Sequence, residues 1–232
     1  MAHESVPLVI GVSGHRDLIA DELPALREVV HSFFADLRAQ FPGLPLRLLT
    51  SLAEGADQLV VDVAGDLDIP TTILLPMPID MYEADFEGSA QADLHRLLSG
   101  RDVIEMPLLS AANLVAVDGH ERDKQHEYLG VYLAAHSHLL RALWDGKPST
   151  APGGTAHIVE FHQRDTTALL DSTSQRSPID FTEDESDLVF HIVCSRESSG
   201  PPADGIFPGE TFWFTRDDKH PRTNEMPKRY VS

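Results

Sequence analysis

Short apolar runs alternate with helical stripes along most of the chain. Leu8–Val12 (LVIGV) predicts a first strand, followed by a Ser13-Gly14-His15-Arg16-Asp17 loop. From Asp21 to Gln40, Leu23, Leu26, Val29, Val30, Phe33, Phe34 and Leu37 recur every three or four residues and predict a helix, which Pro42-Gly43 ends. Leu46–Thr50 predicts a second strand, and Ala53–Ala64 a helix with Leu59, Val60 and Val63 facing inward. The β-branched, apolar run Thr72–Leu75 predicts a third strand that stops at Pro76. Further along, the pattern predicts a helix at Ala90–Leu98, a strand at Val103–Met106, a helix at Glu121–His138 and a strand at Leu139–Trp144 (LLRALW). A short helix opens at Gly153-Gly154-Thr155 and runs through His162, and Leu188–Cys194 forms a late strand. Strand–helix alternation at these spacings means βαβ units. The predicted fold class is therefore α/β: a Rossmann-like, doubly wound, mostly parallel sheet with helices on both faces.

The alternation weakens twice. Residues 164–187 are rich in Ser, Thr and Asp and predict an inserted loop. From residue 196 onward Pro, Gly and charge dominate around Phe212-Trp213-Phe214, which predicts an irregular tail or linker. The expected organisation is one domain over 1–195 followed by that tail.

Composition narrows the function. The 232 residues carry a formal charge of −19, which opposes binding to a nucleic-acid backbone and predicts no nucleic-acid partner. It leaves room for a small anion, which needs only local N–H groups and one or two arginines. No run approaches the roughly 18 apolar residues of a membrane span, and the N-terminus has no secretory pattern. The single cysteine, Cys194, excludes an intramolecular disulfide and any Cys-rich zinc site. His136 and His138 are two apart and cannot share a helix face, so no metal is expected there. The expected location is cytoplasmic.

Several segments carry candidate chemistry. Gly11-Val12-Ser13-Gly14-His15-Arg16 follows the first strand; it reads either as a tight turn or as an anion loop with Arg16 as a bidentate donor. Ser51 and Glu54 have capping-box spacing, while Gly55 in the same turn could direct N–H groups into the crevice above the sheet. Tyr82 and Asp85 follow Pro76 at the carboxyl edge of the sheet. Arg122, Gln125, Leu129, Tyr132 and His136 recur along one helix and need polar partners, from the protein or from a ligand's base or ribose. Gly153, Gly154 and Thr155 at a helix N-terminus suit a phosphate.

Taken in order, these motifs, with Ala142-Leu143-Trp144-Asp145-Gly146 between them, resemble the SLOG superfamily, named after the DNA-processing protein A (Smf) and Lonely Guy families. The match runs over residues 7–163 and more loosely over 188–194. The resemblance implies a nucleotide pocket at the carboxyl edge of a Rossmann-like sheet. It also implies kinship with nucleotide and NAD-derived ligand sensors of bacterial conflict systems and with phosphoribohydrolases. One departure stands out. The Lonely Guy enzymes carry Pro-Gly-Gly-x-Gly-Thr-x-x-Glu, and that glutamate is catalytic. In this chain Pro152-Gly153-Gly154-Thr155 lacks the x-Gly, Ile158 takes the glutamate's place, and the nearest glutamate is Glu160. Each helical residue turns a side chain by about 100°, so Glu160 points elsewhere.

Two readings follow. In the first, the chain binds or senses a phosphate-bearing nucleotide or NAD-derived ligand and requires no cofactor. Ser13, Gly14, His15, Arg16, Glu54, Gly55, Gly153, Gly154 and Thr155 would hold the phosphates, and Tyr82, Arg122 and Tyr132 the base or ribose. In the second, the chain cleaves an N-glycosidic bond of a nucleotide with Glu54, Asp85 or Glu160 as the catalytic carboxylate. Both readings are compatible with a homo-oligomer or with a fused or associated effector.

Overall fold

The computed structural model describes residues 6–116, 119–149, 152–163, 187–216 and 226. Seven strands form one sheet in the order β4-β3-β2-β1-β5-β6-β7. They are β1 (Leu8–Gly14), β2 (Leu46–Thr50), β3 (Thr71–Leu75), β4 (Asp102–Glu105), β5 (Leu139–Trp144), β6 (Val189–Val193) and β7 (Thr211–Phe214). All neighbours are parallel except β6 and β7. This is the predicted doubly wound α/β fold, and every predicted strand forms.

The apolar stripes explain how the layers close. Helices α1 (Leu23–Gln40), α2 (Ala56–Asp66) and α4 (Ser89–Leu98) bury Phe33, Phe34, Val60 and Leu94 with Ile10, Val12 and Ile73 of the sheet. On the opposite face α6 (His120–Ala135) and α7 (Thr155–Gln163) bury Leu129, Leu133, Ile158 and Val159 with Leu49, Leu74 and Leu140. Two short helices, α3 (Ile79–Tyr82) and α5 (Ala112–Val115), lie in the connections. The chain leaves β1 toward β2 on one side and returns to β5 on the other. The carboxyl ends of β1 and β5 therefore flank a topological switch point, where folds of this kind place ligands. Among the described residues no helix is long and apolar enough to cross a membrane.

Four local expectations are corrected. The first strand runs on to Gly14, so Ser13 and Gly14 are strand residues. Helix α2 starts at Ala56 rather than Ala53, with Gly55 as its N-cap, and the Ser51–Glu54 capping box does not form. Helix α6 stops at Ala135 rather than His138. The aromatic patch predicted to lie in an irregular tail is β7, whose Trp213 pairs with Phe190 of β6. An edge strand of four residues between glycine and charge is too short for periodicity to reveal, and long-range pairing alone creates it. The predicted insert at 164–187 lies outside the described residues up to position 186.

Candidate functional site

The carboxyl ends of β1, β2 and β3 are joined by side chains that reach across them. Gly14 closes β1 against α2: a Cβ there would lie 2.3 Å from the Ala56 Cβ. Gly55 has φ +78°, and a Cβ there would lie 2.3 Å from the Arg16 carbonyl oxygen. Only glycine suits both the backbone conformation and the close approach. The Ala56 N–H donates to the His15 carbonyl at 3.0 Å, so the loop after β1 sits on the first turn of α2.

Beneath these loops Asp57 organises the turn after β2. It is buried and accepts from Thr50 Oγ1 at 2.9 Å, Ser51 Oγ at 2.8 Å and the Ala53 N–H at 3.4 Å. Ser51 thus serves Asp57 instead of capping the helix. The turn holds Leu52, buried, at φ +59°. Burial pushes the Asp57 carboxyl up to about 6 despite these donors. A raised folded value means that its contribution to stability is complete below the ordinary carboxyl range and is lost as pH rises through about 6. Asp57→Asn, which mimics the protonated group, should therefore gain on the wild type as pH rises from 3.8 to about 6. Urea unfolding of both proteins across that window checks this; a constant gap would show that Asp57 does not titrate there.

Arg16 is exposed and leans over the segment after β3. One Nη donates to the Asp85 carbonyl at 2.6 Å, and the ζ-carbon lies 5.4 Å from the Phe86 ring centre. Tyr82 is buried; its hydroxyl donates to the Ser51 carbonyl at 3.2 Å, and burial, reinforced by the Asp57 charge, pushes the phenol well above its usual range. The Asp85 carboxylate is ion-paired with Arg122 at 2.7 Å, and its other oxygen lies 3.1 Å from His126 Nε2. Burial alone would raise its pKa; the His126 and Arg122 partners outweigh that and hold it below the usual range. Arg122 also donates to the Val115 and Met81 carbonyls.

Helix α7 approaches the same edge from the other face of the sheet. A Cβ on Gly153 would lie 3.1 Å from the Glu127 backbone nitrogen and 3.3 Å from the His126 Cβ. The Gly154 carbonyl accepts from the His157 and Ile158 N–H groups, so the N–H groups of Thr155 and Ala156 lie ahead of the helical ladder. A chain of contacts therefore links Gly55, Arg16, Asp85, His126 and Gly153. His126 is its hub, 31% exposed at the side chain and 6.1 Å from the Tyr82 ring. Between Arg122 and Leu129 nothing in the local hydrophobic pattern singles His126 out. Its spacing of four from Arg122, which puts both on one helix face, was the available signal.

At the switch point itself His15 is buried beside Asp145. The Asp145 N–H donates to His15 Nε2 at 3.0 Å, so the neutral ring carries its proton on Nδ1. Burial lowers the His15 pKa and outweighs the nearby Asp145 carboxylate. Residues 196–206, predicted to be irregular tail, wall this point. Arg196 pairs with Asp17 at 2.8 Å, the Ser198 N–H donates to Asp17 at 3.0 Å, and the Ala203 N–H donates to the Asp145 carbonyl at 2.8 Å. Burial alone would raise the Asp17 pKa, but the bonds from Ser198 and Arg196 hold it at about 2.

Other predicted residues fall differently. Ser13 is buried in β1, Glu54 stands half-exposed beside Gly55, and Glu160 lies on the body of α7, half-exposed. Tyr132 is removed from the crevice. Arg122 and Gln125 mark the carboxyl edge, Gln125 donating to the Pro76 carbonyl. Ten residues of helix carry Tyr132 about 15 Å away, toward the end where the His138 N–H meets the Val9 carbonyl. There Tyr132 stacks on His136 at 3.9 Å.

No family model matches the chain, and no curated protein matches it. Among solved structures it is similar to DNA processing protein A from Streptococcus pneumoniae, with 12% identity and a TM-score of 0.44 over 75% of this chain and 52% of that one. The chain thus spans about half the length of that protein.

Proposed function

We propose that this chain is a SLOG-type domain that binds a phosphate-bearing nucleotide or NAD-derived ligand in the crevice at the carboxyl edge of its sheet. The observation that carries the reading is the contact chain from Gly55 through Arg16, Asp85 and His126 to Gly153. It gathers a guanidinium, an imidazole and the leading N–H groups of α7 at one edge of a doubly wound sheet. The Arg16 side chain and the N–H groups of Thr155 and Ala156 contact the phosphates, and His126 adds a further donor. In a chain of net charge −19, such donors have to be local.

Binding without hydrolysis is the favoured form. One oxygen of Asp85 is ion-paired with Arg122 and the other lies 3.1 Å from the His126 ring, which makes it a poor base. Glu160 sits five residues beyond Thr155, on the body of α7.

The test is calorimetric titration with AMP, ADP-ribose and NAD, with chromatography of the same mixtures for released base. The expected result is saturable binding of at least one of them without base release. Arg16→Ala should weaken it tens- to thousands-fold, about 2–5 kcal/mol for a desolvated charge-assisted contact, while melting within about 0.5 kcal/mol of wild type, as an exposed side chain should. Binding of none of the three, or equal affinity in the mutant, would overturn the reading.

A further inference from the structure

Strand β5 carries a charge that nothing among the described residues answers. Arg141 is fully buried, and its Nε and both Nη atoms have no hydrogen-bond partner. Its ζ-carbon lies 4.7 Å from the Phe33 ring centre and 4.9 Å from that of Phe34. Aromatic faces attract a cation but accept none of its in-plane N–H bonds. Burial pulls the guanidinium pKa down only to about 9, so it stays charged at neutral pH. A buried cation of this kind normally has an anion beside it.

Of the two rings, Phe33 also lines an open groove of about 1180 Å³ between α1 and β7, a groove whose lining residues do not include Arg141 itself. Phe33 stacks on Phe190 at 4.6 Å, and Phe190 packs against Trp213 at 4.6 Å; all three line the groove. Phe190 is also the register partner of Arg141 on the neighbouring strand. The groove has an apolar floor, and Glu28, Asp36 and Glu210 stand among its lining residues.

We propose that Arg141 and this groove form a binding site for an apolar monocarboxylate, separate from the crevice at the carboxyl edge. The ligand's hydrocarbon lies on Phe190 and Trp213. Its carboxylate pairs with the guanidinium as the Phe33 ring turns aside, a fork-to-fork match that guanidinium geometry favours. The three acidic side chains select against polyanions such as nucleotides, while a single carboxylate is neutralised by Arg141 in a medium where salt screens little. The ligand class follows from this pairing of one buried cation with an aromatic floor.

Trp213 reports directly on the site. The chain has two tryptophans, and Trp144→Phe leaves Trp213 as the sole emitter. Titrating that protein with octanoate should change its fluorescence saturably. Octanamide, of the same shape without the charge, should bind at least tenfold more weakly, and so should octanoate to the Arg141→Met variant. No saturable change, equal affinity for the amide, or equal affinity in Arg141→Met would each overturn the proposal. A melting curve shows whether Arg141→Met folds; if it does not, the octanoate–octanamide contrast in the Trp144→Phe protein decides alone.

Discussion

Arg122→Ala should unfold at a markedly lower temperature than the wild type, with a loss of about 3–5 kcal/mol, as expected for breaking a buried ion pair from one side. Arg122 is only 4% exposed. It ties α6 to the segment after β3 with two bonds to Asp85, at 3.0 and 2.7 Å, one to the Met81 carbonyl at 2.9 Å and one to the Val115 carbonyl at 2.8 Å. Truncation leaves a half-buried carboxylate facing His126 alone and two carbonyls without their donor, each a desolvation cost in itself. In a chain of this size each kcal/mol moves the melting point by about 2–4 °C, so a fall of about 10 °C is expected. The pH dependence gives an independent check. Because Asp85 is depressed in the folded state, its stabilisation is present above the ordinary carboxyl value and is lost as pH falls through the folded one. Arg122→Ala should flatten that acid-side loss. A change below about 1 kcal/mol, typical of an exposed pair, would show that the network is dispensable and would return Arg122 to the ligand-binding role the sequence first suggested.

Arg141→Met should act in the opposite direction and stabilise the fold. Methionine replaces the aliphatic stem, keeps contact with Phe33 and Phe34 and removes a charge with no acceptor among the described residues. Removing an unpaired buried charge relieves a desolvation penalty of several kcal/mol, and the two cation–ring attractions that are lost return about 0.5–2 kcal/mol each. A net gain of about 2 kcal/mol, or about 4–8 °C in melting temperature, is expected. Urea unfolding should show a higher midpoint with an unchanged slope. A clear loss of stability would mean that an acceptor reaches the guanidinium in solution even without added carboxylate. A gain would establish Arg141 as a residue that costs stability, as groups kept for binding often do.

The outline of this fold was readable because the hydrophobic effect writes a local pattern. Phe33, Phe34 and Leu37 recur with helical spacing because one side of α1 is buried. Thr72–Leu75 is continuous because a parallel strand is covered on both faces. The loops at the carboxyl edge were legible for a similar reason, since Gly14 and Gly55 mark places where only a backbone without a side chain fits. What the chain could not disclose is choice of partner, which depends on residues far apart in sequence. Ser51 has capping-box spacing yet donates to Asp57, because burying that carboxylate demands every nearby donor. Tyr132 and Arg122 share one helix, but helix length sends one to each end of the sheet. His126 became a hub only when α6 met both Asp85 and Gly153. Arg141 passed as one letter in an apolar run, and only the packing of α1 against β5 and β6 enclosed its charge between two phenylalanines. Residues 196–216 lack any period, so only their pairing with β6, Asp17 and Asp145 gave them structure. Local periodicity records which side of an element is dry, while the identity of the neighbour on that side is fixed only when distant segments close on one another.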